Sequence, residues 1–587
     1  MNLRQKCLPF VLAALTAAPL MSALPATALP ATALPATALP AIAPHTAAQA
    51  AAAEPRPAPS KHLVLDGDSL TLDDMVHIVR GRPVTLELED GTARTMQRVR
   101  EGALKALDEG QRVYGWNQAL GPLKDQPLTP DQQEEFQRRI LRSHAAGVGK
   151  PVPDGEARLA LVLRANAMAR GTMGVRPELV RRMLDLVNAG VTPVIPQIGS
   201  LGTGDLQPMA AAGLVLTGED APARYRGRTA PAKEILREAG LEPSFPLQAG
   251  EALPIISGSG LLTARYVHAI DRAKSLETQF EGAFALFMEA TRAEKSSLDA
   301  RTHKERRIPE EEAVAARLRG LVGDSDWMTE AGRKRLGETS PRVQDAVSVR
   351  AAPHIAATLV HTLDEARTIV EREANASTSN PLIFPKDGGG YEFVMGGNWD
   401  GAQIGHAMDT LNAEATDVAV LTHELSARLL SKKWSYGLPA NLAYPPVGLN
   451  SGMVQVQTVA AALIPEMQTR AAPSGVLSRP AKDGQEDHNT MAMASARNLH
   501  ENLDRFETVL AVLLMMDAQG IDLIKEDMKG LSLGAGSAAL HARIRQTIQP
   551  LKDDRWMSPD LKKMTALVRQ GDLRDIVLAR SASGSTR

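Results

Sequence analysis

Residues 404–429 read IGHAMDTLNAEATDVAVLTHELSARL. Within them Ile404, Met408, Leu411, Ala415, Val418, Leu425 and Leu429 recur at spacings of three and four, or their sum. That recurrence draws one apolar stripe along a single long helix. Similar patterns run through 262–300, 354–375, 451–470 and 488–524, so the chain is predicted to be mainly α with a long central helical bundle. Met-rich runs such as Leu514-Met515-Met516 read as packing filler rather than a cofactor box. Short β-rich pieces with turn residues run from Val64 to Leu88, after which helical periodicity dominates, which predicts a smaller mixed N-terminal part.

Composition agrees with a bundle. Of 587 residues, 44% are hydrophobic but only 3% aromatic, which argues against a sandwich or propeller and for helices packed through Ala, Leu, Val and Met. A formal net charge of −2 with interspersed signs gives no electrostatic footprint for nucleic acid. The histidines do not fall in a metal-ligand spacing such as His-Glu-x-x-His, and no Lys-Ser or Lys-Thr follows the glycines at 199–204, so neither metal nor nucleotide is expected.

The first fifty residues stand apart. Arg4 and Lys6 precede a proline-broken apolar run, Leu8 to Met21, and an Ala-Leu-Pro-Ala-Thr repeat follows. A basic n-region before a short apolar core is the form of a secretory signal, and the run is too short and broken to span a membrane comfortably. The expected organisation is a signal peptide and repeat leader at 1–50 and a linker at 51–60. An N-terminal region follows at 61–260, the bundle at 261–540, and C-terminal helices with a disordered tail at 541–587. Export predicts a periplasmic or secreted protein. The only cysteine, Cys7, lies in the leader, so the remainder tolerates an oxidising compartment without disulfides.

Polar, glycine-containing islands that a bundle core does not require punctuate the helices. They are VYGWNQALG at 113–121, SHAAGVG at 143–149, RAN at 164–166 and GSLGTGDLQP at 199–208. QDAVSVR follows at 344–350, EANASTSNP at 373–381, GGNWDG at 396–401 and QEDH at 485–488. Singly each is a turn or a cap.

In this order the islands resemble the histidine and phenylalanine ammonia-lyase family, the aromatic amino acid lyases, over nearly all the chain from about residue 61. The resemblance implies an ammonia-lyase-like fold and a homotetramer whose sites draw on several subunits. It also implies removal of ammonia and a β-proton from a small-molecule amino acid to leave an acrylate such as urocanate. Many members use a methylidene-imidazolone made autocatalytically from an internal Ala-Ser-Gly. On this pattern Tyr114 is the general base, Asn166 sits beside the electrophile, and Glu486 handles the substrate amine or ring. Arg350 pairs with the substrate carboxylate through its planar fork. Asn375 and Gln485 belong to the same polar floor, and His144 after Ser143 resembles the histidine-specific branch. An imidazole can exchange hydrogen bonds with an imidazole ring, which a phenyl ring cannot answer.

The electrophile loop departs from the family pattern. Where the family has Gly-Ser-x-Gly-Ala-Ser-Gly-Asp-Leu, this chain is one residue shorter, and Gly202-Thr203-Gly204 stand before Asp205-Leu206. A methylidene-imidazolone would have to form from those three, with an extra methyl on its electrophilic carbon. Val347 removes a tyrosine from the pocket, and Asp400 stands where histidine or glutamine is common. Three alternatives to a histidine-type ammonia-lyase follow. One is cofactor-free elimination of trimethylamine from a histidine betaine, resembling ergothionase, with Asp400 or Glu486 facing the cationic head. The others are an aminomutase and a non-catalytic periplasmic binding protein.

Overall fold

The computed structural model describes residues 60–338 and 342–584; the leader, nearly all of the linker and the last residues of the tail lie outside them. At the N-terminal side Lys61–Leu65 pairs in parallel with Val84–Leu88, joined through the helix Leu72–Val79. That helix starts with a capping box, in which Thr71 accepts from the Asp74 N–H while the Asp74 carboxylate accepts from the Thr71 N–H. No sheet among the described residues has more than three strands.

Everything else that matters is helix. We number Pro130–His144 α1, Asp154–Ala169 α2, Gly260–Thr291 α3, Ala352–Ala374 α4, Ala402–Leu429 α5, Val454–Arg470 α6 and Ala492–Ile524 α7. All seven residues of the stripe from Ile404 to Leu429 are buried, facing chiefly α7. From Val509 to Ala518 every residue of α7 is buried, and all but Asp517 are apolar, as befits a helix at the centre of a bundle. One continuous apolar core runs through both the bundle and the N-terminal helices.

A polar lock sets the register of three bundle helices. Asn502 of α7 donates to Asn412 Oδ1 on α5 at 2.8 Å and to the Met467 carbonyl on α6 at 3.0 Å. Asn412 in turn donates to the Arg470 carbonyl at 2.8 Å. Buried amides tolerate few alternative pairings, so sliding any one helix would orphan several groups.

The expected spans need three adjustments. The helix read over 262–300 stops at Thr291, because Arg292 turns left-handed with φ 50°. The segment read from 488 becomes helical only at Ala492, after Met491 adopts φ 52°. The boundary read at 540 falls inside the helix Ala535–Thr547, whereas that at 260 meets the start of α3. No helix among the described residues is long and apolar enough to cross a membrane.

Candidate active site

Helix ends and loops enclose a cavity of about 690 Å³. Tyr114, His144, Thr203, Gln485 and Glu486, drawn from four of the islands, line it together. So do three cations, Arg112, Lys124 and Lys482, with Asn380 and Trp399 on the far side of the sequence.

The Tyr114 loop is anchored by Trp116, which is buried edge-on against Phe393 at 5.2 Å with the Arg100 guanidinium over its face. Gly115 has φ 75°, and a Cβ there would lie 2.1 Å from Leu253, so only glycine lets the loop turn this tightly. The Tyr114 hydroxyl accepts the Gly121 N–H at 3.0 Å. Burial pushes the phenol above its ordinary value; the Gly121 hydrogen bond pulls it down, and the Glu486 charge pushes it up further. The isolated chain therefore holds this group protonated, and a base role requires a bound positive charge.

His144 ends α1. Its Nδ1 lies 2.9 Å from the Ile140 carbonyl, which can only accept, so Nδ1 carries the proton and Nε2 is left as an acceptor. Burial holds the ring below its ordinary value, and the nearby Lys482 charge acts in the same direction. The chain thus keeps a neutral imidazole of defined tautomer at the cavity wall.

Glu486 is held by Lys482, whose Nζ is 2.5 Å from Oε1. The segment closes on itself through Ala481 N to Glu486 O at 2.8 Å, with Lys482 and Asp483 both at φ 52°. Gln485 lines the cavity beside it and is exposed. Asn489, which the motif pattern did not single out, is fully buried and donates to the Arg479 and Glu486 carbonyls at 2.6 and 3.1 Å. Its Oδ1 accepts the Thr203 hydroxyl at 2.9 Å.

The glycine loop beneath them is a seam. Gly202 and Gly204 have φ 90° and 87°, and Thr203 bridges to Asp400 while the Gly202 carbonyl accepts the Gly401 N–H at 2.9 Å. Asp205 is fully buried and its Oδ2 accepts the Leu261 and Leu262 N–H groups at 2.8 and 3.0 Å at the start of α3. Burial raises its carboxyl to about 7, although those two hydrogen bonds and the charge of Arg164 oppose the shift. Arg164, itself buried and lowered to about 10, donates to the Thr378 carbonyl at 2.8 Å.

Whether an internal electrophile fits can be tested on Gly202. A Cβ there, which the alanine of an Ala-Ser-Gly precursor would carry, falls 2.0 Å from the buried Thr490 hydroxyl and 2.9 Å from the Ala492 nitrogen. The Thr203 hydroxyl that dehydration would remove is engaged by Asn489, and the loop is a residue short. An Ala-Ser-Gly precursor does not fit this seam, and Gly202-Thr203-Gly204 would have to give up the Asn489 bond before dehydrating.

Six expected site residues lie outside the cavity, four of them beyond the glycine loop. Asn166 is fully buried, its amide spent on the Gly67 N–H and the Ala374 carbonyl and on Asn375. Asn375 is likewise tied to both backbone groups of Leu70 and to the Glu371 carbonyl. Both clamp α2, α4 and the N-terminal loop; neither is free to touch a substrate in the cavity. Asp400 is exposed and caps the start of α5 through the Ala402 N–H at 2.8 Å. Arg350 is exposed on the short helix Val347–Arg350, with Nε donating to the Asp345 carbonyl at 2.8 Å. Of the glycine triad only Thr203 reaches the cavity.

Lys482 had a legible signal, lying four residues before Glu486, but only the left-handed turn at 482–483 brings the two together. Arg112 and Lys124 flank the Tyr114 loop without any pattern of their own.

Comparison with known proteins identifies the family. The model of the aromatic amino acid lyase family matches residues 70–546. A histidine ammonia-lyase of Geobacillus thermodenitrificans is 35% identical over 515 residues, covering 87% of this chain and 98% of that protein. A tyrosine ammonia-lyase of Cupriavidus metallidurans is 33% identical, covering 87% and 97%. Among solved structures, histidine ammonia-lyase from Trypanosoma cruzi superposes with a TM-score of 0.78 at 30% identity, over 89% of this chain and 95% of that one. The chain belongs to the aromatic amino acid lyase family and is a carbon–nitrogen lyase.

Proposed function

We propose that the protein eliminates a tertiary amine from the betaine of an imidazole-bearing amino acid, without an internal electrophile. The observation that carries this reading is the glycine seam, where Gly202 has no room for a side chain and Thr203 is already bonded. Ammonia needs an electron sink to leave; a quaternary ammonium leaves as a neutral amine and does not.

The cavity supports each role. His144 Nε2 accepts from the N–H of a substrate imidazole, which orients the ring. Glu486 faces the cationic head, which cannot donate a hydrogen bond, and Lys482 or Arg112 meets the carboxylate. The trimethylammonium charge lowers the Tyr114 phenol, which burial alone raises. Tyr114 then takes the β-proton, the C–H pair forms the Cα–Cβ double bond, and the C–N pair departs with trimethylamine. On this reading a homotetramer brings Arg350 of a neighbouring copy to the cavity mouth as a further carboxylate partner. The leader at 1–50 directs the reaction to the periplasm or beyond.

A second reading, ammonia loss from histidine itself, is favoured by the 35% identity to a histidine ammonia-lyase. Incubation with histidine, its trimethyl betaine and the thiolated betaine, following acrylate absorbance and identifying the amine, separates the two. Trimethylamine from a betaine with no ammonia from histidine is expected. Ammonia from histidine, with a protein mass lowered by two waters, would refute the cofactor-free route.

A further inference from the structure

We propose that His303, Glu311 and His354 bind a divalent transition-metal ion of the zinc class, at a site separate from the cavity. None of the three lines that cavity, and the inference does not depend on which amine is released. Their ligand atoms lie within 4.8 Å of one another. His303 sits on the short helix Ala300–Arg306, Glu311 near the start of the helix Pro309–Val322, and His354 in the first turn of α4. Sequence spacing hid the set, because its third member is 43 residues beyond the second.

Three observations point to a cation between these groups. His303 is buried and its Nε2 lies 3.0 Å from the Ser297 carbonyl, so Nε2 carries a proton and a neutral ring has its lone pair on Nδ1. That lone pair would face Glu311 Oε1 at 2.8 Å, an arrangement that repels unless a proton or a metal ion intervenes. His354 Nδ1 approaches Glu311 Oε2 at 2.6 Å yet, although buried, lacks the alignment of a hydrogen bond. Glu311, 1% exposed, is therefore addressed by two ring nitrogens, with Arg306 Nε no closer than 3.8 Å on an exposed stem.

Two imidazoles and one carboxylate are a zinc-type donor set, with water completing a tetrahedron. Seating bonds of ~2.0–2.1 Å needs the groups to open by roughly half an ångström. The half-exposed His354 gives the ion a way in. Once bound, it would clasp three helices directly behind the turn that carries Arg350.

A second cluster, Glu156 with His268 and His500, supplies an internal control. There the buried Arg265 sits 3.3 Å from Glu156 and Arg272 lies 3.4 Å from His500 Nδ1, while His500 Nε2 faces the Arg265 carbonyl at 3.0 Å. Permanent guanidinium charge already occupies the cation's place.

The test is metal analysis of the full-length chain, stripped with chelator and re-equilibrated with zinc or cobalt. One ion per chain is expected, with visible ligand-field bands for cobalt and a raised melting temperature with zinc. Glu311→Gln and His354→Ala should each weaken binding at least tenfold and abolish the zinc-induced melting shift, whereas His268→Ala should do neither. His354→Ala, at a half-exposed position, keeps the test open if Glu311→Gln does not fold. Absence of binding by the folded wild-type chain would show an imidazolium–carboxylate cluster only and overturn the proposal. So would binding that survives both variants.

Discussion

The bundle seam and the cavity rim solve opposite problems with the same residue types. In the seam, Asn412 and Asn502 lock α5, α6 and α7 through buried amides whose donors are all placed, only Asn502 Oδ1 lacking a partner, and no residue beside them is left-handed. At the rim, Lys482, Asp483 and Met491 take left-handed conformations within ten residues. The buried hydroxyls of Thr490 and Ser379 find no partner there. Each such strain costs about 1–3 kcal/mol and persists only where the surroundings enforce it. The seam secures uniqueness, and the rim spends that stability on presenting Tyr114, His144 and Glu486 to a common space.

Variants can break the contrast from either side. At the rim, Tyr114→Phe should cut betaine turnover about 1,000-fold, some 4 kcal/mol, while the melting temperature barely moves. Unchanged turnover would remove Tyr114 from the mechanism. In the seam, Asn502→Leu should do the reverse. It orphans Asn412 Oδ1 and leaves the Met467 carbonyl only its Ala471 N–H, so urea unfolding should show a loss of about 2 kcal/mol, with kcat per folded molecule intact.

His144→Phe should lower kcat/KM for imidazole substrates roughly 30-fold, about 2 kcal/mol, and narrow the preference over phenyl analogues. A uniform loss across both rings would mean that His144 only packs.

A pH-dependent effect sharpens the boundary between the two regions. Asp205 joins the glycine seam to α3 with a carboxyl raised to about 7, above its ordinary 3.8. Between those values the folded chain keeps a proton that the unfolded chain has released, so stability falls as pH rises from about 4 to about 7. Glu289, raised by burial to about 7, adds a slope of the same sign. Asp205→Asn should flatten the measured slope by no more than one proton, about 1.4 kcal/mol per pH unit. An unaltered slope would show Asp205 ionised throughout.

Much of this was legible before the structure. The stripe from Ile404 to Leu429 foretold α5 because burial on one helical face leaves a period in the sequence. Tyr114, His144, Thr203, Gln485 and Glu486 were legible as islands because polar, glycine-containing stretches have no work in a bundle core. Asn166 and Asn375 misled for a physical reason. An amide serves a substrate or two backbone segments equally well, and only the surrounding contacts show which. The cations Arg112 and Lys124 left no trace because loop charges obey no period, and Lys482 left only its spacing from Glu486. The ends of α3 and α7 were set by the left-handed residues Arg292 and Met491, where neither glycine nor proline marks the turn.

The stitched glycine seam bears on how the protein comes of age. A chain that must first cyclise its own backbone has a lag between folding and competence, and carries a reactive carbon that thiols or hydride donors can poison. If, as proposed, the seam with Gly202 against Thr490 and Thr203 tied to Asn489 stays uncyclised, this chain is competent as soon as it folds. On the cofactor-free, exported reading proposed above, such an enzyme gains from having nothing in it left to mature, and nothing to quench.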